Sequence, residues 1–248
     1  MENKEFIIEQ FKKVKELGYV PSRRKNNTGI GKTFEDYIGV VENNIDEPDL
    51  AGYEIKSHRE VSQSYVTLFT KSPTFPSKAN GYLKDRYGTA YIEDPSLKRL
   101  HTSMFASNFN TYANAYSFRL LNNSVEKRIT IGIFDINTKL LIDNSVGYTY
   151  EAIKRCLERK LKNLFYVTAE TRNKDGVEEF YFNRADIYMN SSFESFLELL
   201  DAGKIMYDIR IGSYKSGSKK GKPHDHGSGF RILESNLKLL YSEHEIVE

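Results

Sequence analysis

The chain of 248 residues has one cysteine, Cys156, which excludes an internal disulfide. It lies in EAIKRCLERKLKNL at helical spacing with Ile153, Leu157 and Leu161, the pattern of a small core residue rather than of a thiol nucleophile. Tryptophan is absent, while 17 Tyr and 15 Phe indicate aromatic-rich packing, so no single tyrosine is read as a base-stacking platform. No apolar run reaches the length of a membrane span and no charged-then-apolar leader opens the chain, so the expected compartment is the cytoplasm, with no membrane partner. No internal repeat is visible. A strong excess of charge is also missing: the net charge of +2 is modest for a nucleic-acid binder. Basic residues are instead concentrated locally. Lys12, Lys13, Lys15, Arg23, Arg24 and Lys25 lie near the amino end, and Lys215, Lys219, Lys220 and Lys222 crowd one glycine-serine loop, where they are either phosphate contacts or a solvated surface. A hydrophobic content of 39% suffices for one substantial core or for two lobes that share a cleft.

What is present begins with Asp49-Leu50-Ala51-Gly52-Tyr53-Glu54-Ile55-Lys56. Tyr53, Ile55 and Ser57 alternate with Glu54, Lys56 and His58, so Glu54 and Lys56 leave a strand on one face. Two carboxylates, Asp49 and Glu54, can share a divalent cation there, with the Lys56 ammonium beside the water or phosphate that the cation holds. The bland alternative is a surface cross-strand ion pair. His58 is in phase with Glu54 and Lys56, and is either a groove residue or a hydrogen-bonded structural histidine. His101 and His244 carry no signal.

Upstream, TGIGKTFEDYIG opens a helix expected over 33–43, with Phe34, Ile38 and Val41 at helical spacing and Glu35 near its first turn. Gly31-Lys32-Thr33 is not a phosphate-binding loop, because Asn26 stands where the first glycine belongs and 22–27 is no buried strand.

Further helices are expected over 4–17, 150–161 and 193–200, and strands over 116–121, 128–134, 164–170, 177–188 and 204–214. The strands 51–59 and 64–71 are expected to pair as a hairpin, followed by an irregular insertion at about 72–115. In 204–214, Asp208 and Arg210 share one face and Ile209 and Ile211 the other; His224-Asp225-His226 and Arg231 follow. Arginine can span guanine O6 and N7 and aspartate can accept from cytosine N4, which suits a G·C-rich site read by Asp208, Arg210, His224, His226 and Arg231. Zinc at His224 and His226 would need a third ligand that the spacing does not provide.

The span TGIGKTFEDYIGVVENNIDEPDLAGYEIKSHRE, with its glycine-rich helix entry, its Glu35, the Asp49-Leu50 before the strand and Glu54-x-Lys56 on it, resembles the PD-(D/E)xK nucleases and, within them, the MutH-like branch of the MvaI/BcnI restriction endonucleases. The resemblance implies an α/β (α+β) fold: a restriction-endonuclease-like core with a mixed sheet plus a β-ribbon-rich recognition lobe, two lobes around a DNA cleft. The expected division is a catalytic lobe over 1–172 and a recognition lobe over 173–248. It implies a type II enzyme that binds double-stranded DNA and hydrolyses it with Mg2+ at CCWGG, as a monomer nicking each strand in turn, beside a cognate DNA methyltransferase. CCSGG and GATC sites stay open. Asp49, Glu54 and the Ile55 carbonyl would hold the metal, Lys56 would orient the attacking water, and Glu35 would bind a second ion or orient its neighbours. Two other readings use the same residues: a MutH-like mismatch-repair nickase activated by a partner, and a DNA-binding module without catalysis.

Overall fold

The computed structural model describes residues 2–40, 47–60 and 64–248. In chain order the elements are α1 (Glu2–Glu16), β1 (Val20–Pro21), α2 (Gly29–Tyr37), β2 (Glu54–Arg59), β3 (Tyr65–Thr70), α3 (Ala79–Tyr87), β4 (Thr89–Ala90) and β5 (Lys98–Met104). There follow β6 (Tyr116–Asn123), β7 (Arg128–Asp135), β8 (Leu141–Asp143), β9 (Gly147–Thr149) and α4 (Tyr150–Lys160). The chain then runs through β10 (Asn163–Lys174), β11 (Val177–Ser191), α5 (Phe193–Asp201), β12 (Ile205–Ser213), β13 (Pro223–Asp225), β14 (Gly229–Leu233), α6 (Glu234–Leu237) and β15 (Tyr241–Val247). The fold is mixed α+β, and it divides into two compact units, each discontinuous in sequence.

The first unit comprises Met1–Ser64, Cys156–Ser192 and Lys238–Glu248. Its sheet runs β1-β11-β10-β2, with β15 also on β11. The helices close one side of it: Ile7, Phe11 and Val14 form the apolar stripe of α1, and Ile30, Phe34 and Ile38 that of α2. Gly18, at a φ of +67°, ends the first helical stretch in the left-handed conformation that glycine adopts without strain. Gly29 lets α2 start in close contact with the preceding loop, because a Cβ there would collide with the Arg24 carbonyl oxygen. Phe11 packs 6.5 Å from Phe34 and 6.0 Å from Phe165, and Phe34 lies 5.1 Å from Phe182, between ring centroids. Truncating one such ring to alanine costs about 3–5 kcal/mol.

The second unit comprises Tyr65–Arg155 and Phe193–Leu237. It holds one sheet ordered β3-β14-β12-β5-β4, with β13 on β12, and another ordered β6-β7-β8, with β9 on β7.

Four expectations change. The 51–59 and 64–71 strands do not form a hairpin: β2 pairs in parallel with β10, and β3 pairs antiparallel with β14. Both runs are apolar enough to be drawn into different cores, and the polar residues between them reach 61–63, outside the described residues. The 72–115 stretch is not irregular, since it supplies α3, β4 and β5, the last a central strand of its sheet. The compact units do not break once near 172, because β11 and β15 complete the sheet that β2 and β10 begin. Finally, α2 starts at Gly29, so Glu35 is the seventh of its nine residues rather than part of the first turn; Val41 and Asn43 lie outside the described residues.

Candidate active site

Strand registers across the first sheet sort its side chains. The rows Ile55–Phe165–Ile187 and Ser57–Val167–Ala185–Val247 lie on the face that α1 and α2 cover. The opposite face carries Glu54–Leu164–Tyr188–His244, then Lys56–Tyr166–Asp186, then His58–Thr168–Arg184. One side of the sheet is thus apolar core, and the other presents the acidic-basic motif.

The Glu54 residue is only 7% exposed. Its Oε1 accepts from Lys56 Nζ at 2.9 Å, while its Oε2 is buried with no hydrogen-bond partner among the described residues. Asp49 reaches the strand from a tight turn, in which Leu50 and Tyr53 exchange backbone hydrogen bonds and Gly52 takes a φ of +82°. That turn aims the Asp49 carboxylate back at β2, where Oδ2 accepts the Ile55 N–H at 2.8 Å. The backbone N–H and C=O of a strand residue point the same way, so the Ile55 carbonyl also faces the open edge rather than β10. Burial, and then the neighbouring Glu54 charge, raise the Asp49 pKa, against the Ile55 N–H, Lys56 and Lys160, which lower it. Two repelling carboxylates, one with a buried unpartnered oxygen, beside an outward carbonyl form a donor set that fits a hard divalent cation. The Glu35 carboxylate lies near Gly31, one turn back on α2, and no group of three His, Cys, Asp or Glu side chains able to hold a metal occurs among the described residues.

Beside this set, His58 is held structurally. Its Nε2 is 2.7 Å from Thr168 Oγ1 and its ring stacks on Tyr166 at 4.3 Å. Burial pushes its pKa down to about 4. Unfolded chains therefore bind the proton first, and stability present above pH 6.5 is lost as pH falls towards the folded value. We expect at most about 2 kcal/mol of stability to disappear between pH 7 and pH 5, read from urea midpoints, and His58→Gln to remove that part of the loss. Equal acid sensitivity in the variant would refute this. His244, which sequence reasoning set aside, belongs to the same polar face: it stacks on Tyr188 at 4.6 Å and bonds Asp186 at 2.7 Å, and Asp186 also takes two bonds from Arg184. Only the register between β11 and β15 reveals this, and no local pattern carries it.

A second polar face lies on β12 in the second unit. Asp208, Arg210 and Gly212 pair there with Ser103, His101 and His224 respectively, while Tyr207, Ile209 and Ile211 point into the core. Asp208 is 7% exposed and acts as an acceptor hub: it takes Ser103 Oγ at 2.8 Å, Arg210 Nε at 2.6 Å and Arg231 Nε at 3.0 Å. Arg231 also bonds Thr67 Oγ1 and the Gly227 carbonyl, and burial together with Arg210 lowers its pKa. Asp208 thus orients two guanidinium groups through Oδ2 while Oδ1 accepts from Ser103. Arg210 keeps its terminal nitrogens outward, with 49% of its side chain exposed.

The rings of His224 and His226 lie 4.1 Å apart, and His224 stacks on Tyr214 at 4.2 Å. They have no third metal ligand among the described residues. Lys215, Lys219, Lys220 and Lys222 are all exposed, although Lys220 pairs with Asp94 at 2.9 Å, and Lys215 and Lys219 lie over the rings of Tyr91 and Tyr214. Their loop is stapled by a lysine that sequence reasoning missed: Lys84, 3% exposed, donates to Ser213 Oγ at 3.0 Å and to the Gly221 carbonyl at 2.9 Å.

Among solved structures, the chain is similar to restriction endonuclease MvaI in complex with its cognate DNA substrate, with a TM-score of 0.88 and 34% identity over 99% of this chain and 98% of that one. It is also similar to MvaI in the absence of DNA, with a TM-score of 0.68 and 34% identity over 100% and 98% of the two chains. No curated protein matches it. The model of the MvaI/BcnI restriction endonuclease family matches residues 8–241. Because that match runs from the first helix to the start of the last strand and so takes in both polar faces, the chain belongs to the MvaI/BcnI restriction endonuclease family and is a site-specific deoxyribonuclease.

Proposed function

We propose that this chain is a type II restriction endonuclease that hydrolyses double-stranded DNA at CCWGG with Mg2+, acting as a monomer that nicks one strand and then the other. The observation that carries the chemistry is the unpartnered, buried Glu54 Oε2 beside Asp49 and Lys56 on an open strand edge. Asp49, Glu54 and the Ile55 carbonyl are the groups that would hold the ion, and the bound cation would supply Lewis-acid polarisation of the scissile phosphate. Lys56 would direct its ammonium at the attacking water and offset charge developing on the phosphate. Glu35, on the helix packed against β2, is assigned an orienting role. Arg210 and Arg231, set by Asp208, are assigned to guanine edges, with His224 and His226 beside them, and Lys215, Lys219 and Lys222 to phosphates.

The likeness to MvaI bound to its cognate DNA substrate supports a specific duplex site, and CCWGG is the sequence that the family resemblance implies for it. A cell that makes such an enzyme needs its own sites masked, so a methyltransferase acting on the same sequence is the implied genetic partner, and both would work in the cytoplasm. No helix among the described residues is long and apolar enough to cross a membrane.

The test is incubation of the purified chain with plasmid DNA of known sequence, in Mg2+ or in EDTA, followed by mapping of the ends. Discrete fragments ending within CCWGG in Mg2+ and none in EDTA are expected. Ends within CCSGG or GATC would replace the site, while bound but intact DNA would point to a partner-activated nickase or a silent binding module.

A further inference from the structure

The polar face of the first sheet carries a cation that the proposed chemistry leaves without a task. Arg184 and Asp186 stand two residues apart on β11, so both side chains leave the face opposite to the one that α1 and α2 cover. Asp186 is 6% exposed and holds the guanidinium side-on, taking Arg184 Nε on Oδ2 at 3.0 Å and Nη2 on Oδ1 at 2.9 Å. His244, from β15, bonds the same carboxylate at 2.7 Å and so braces it from a second strand. These bonds draw the guanidinium into the cross-strand row Lys56–Tyr166–Asp186. Yet 43% of the Arg184 side chain is exposed, and Nη1 has no acceptor among the described residues. Glu248 acts on it electrostatically, without a hydrogen bond. The device matches the one on β12, where a buried Asp208 aims the half-exposed Arg210 two residues away.

We propose that Arg184, aimed by Asp186, binds a backbone phosphate of the DNA, a second phosphate site beyond the scissile one on the same face of the sheet. The proposal rests on the DNA-cleaving function proposed above. Three features carry it. The first is position. Lys56 and Asp186 are two strands apart in one row, roughly 10 Å by strand spacing, and a duplex carries one charge per about 1.7 Å of its axis, so a duplex that brings a phosphate to Lys56 has others within that reach. The second is preparation. The guanidinium is fixed by a buried carboxylate on β11, which lies inside the sheet between β1 and β10, so it has little freedom to lose when its outward N–H groups meet phosphate oxygens. The third is energetic. As a stabilising ion pair the cluster is poor, because a half-exposed guanidinium returns about 1 kcal/mol or less, whereas burying a carboxylate costs several. A ligand anion at the outward edge of the guanidinium accounts for an arrangement that stability alone does not.

The experiment measures binding of the full chain, of Arg184→Gln and of Arg184→Lys by fluorescence anisotropy in EDTA, from about 50 to 200 mM salt, on a duplex with the mapped cleavage site and on one with a single altered base pair. Arg184 is half-exposed and Asp186 keeps His244, so the variants should fold. Arg184→Gln is expected to lower the slope of log affinity against log salt by about one and to weaken both duplexes by the same factor, roughly tenfold, while Arg184→Lys, which keeps a cation, restores the slope. Replacing the phosphates one at a time by uncharged methylphosphonates should then find one whose neutralisation weakens the wild type and leaves Arg184→Gln unaffected. If Arg184→Gln lowers the urea midpoint but leaves salt slope and affinity unchanged, Arg184 is a structural ion pair and the proposal is overturned. So too if its loss is confined to one of the two duplexes, which is the mark of a base contact. In both cases the wild type still binds and cuts and the nuclease reading stands; a wild-type chain that neither binds nor cuts a duplex overturns that reading and this proposal with it.

Discussion

Lys56→Ala is expected to lower the rate of DNA cleavage by about a thousandfold or more, while DNA binding in a mobility-shift assay stays within about threefold of the wild type. The ammonium lies 2.9 Å from Glu54 Oε1 at the edge of the sheet, and no other cation is hydrogen-bonded to that carboxylate among the described residues. Removing it takes away the positive charge that would face the scissile phosphate and leaves the buried Glu54 with neither oxygen partnered among the described residues. Binding should survive, because the residues assigned to base edges and the lysines assigned to phosphates lie on β12, β13 and β14 and in the loops after β12 and β13, all in the second unit. The fold should survive too, since Lys56 is partly exposed and its neighbour Ile55, which packs in the core, is untouched. Lys56→Arg should not restore full activity, as a planar fork on a different stem cannot place a compact ammonium at the same point. A purified Lys56→Ala protein that cut at the original rate would remove this lysine from the mechanism.

Asp208→Asn should do its damage elsewhere. We expect kcat/KM on the cognate site to fall by about a hundredfold and the preference over singly altered sites to shrink with it, because two guanidinium groups lose the charge that aims them. An Asn oxygen in the place of Oδ2 could still accept from Arg210 and Arg231, with its amide nitrogen facing the Ser103 hydroxyl, but it would lack the negative charge that offsets the two guanidinium groups. Arg231, with only 12% of its side chain exposed, would be left as a partly buried cation next to Arg210. A fall in folding stability of about 3 kcal/mol should accompany this. Specificity is therefore to be read as the ratio of cognate to altered sites, well below the melting temperature. An unchanged ratio would show that Arg210 and Arg231 do not read bases.

Two features of this chain illustrate how differently such groups can be read in advance. Glu54 and Lys56 stand two residues apart, so the alternation of a single strand sets them on one face whatever that strand pairs with. Asp49 also lies within reach of them, across a turn whose Gly52 is visible in the sequence. His101 and His244 show no comparable local sign. The first is placed on a polar face only by its pairing opposite Arg210, and the second only through Asp186 and Tyr188. The misread hairpin has the same origin. Two apolar-alternating runs joined by polar residues make a hairpin by local rules, yet β2 lies against β10, with His58 bonded to a residue 110 positions away. Asp208 shows the intermediate case, in which the face is legible in the sequence while its partners are not. Its position on β12 follows from alternation, but its occupation by three donors depends on β5 and β14 lying to either side.

The sequence by itself determined the family, the acidic-basic motif, the faces along each strand and the basic loop, because each of these resides in a short stretch whose geometry the backbone repeat dictates. Only the tertiary structure decided which strands are neighbours, that both compact units are discontinuous, that Glu35 falls near the end of α2 rather than in its first turn, and which polar groups are already satisfied. Those outcomes depend on pairings between distant segments, and such pairings are chosen by the joint burial of whole apolar faces, which no local pattern encodes.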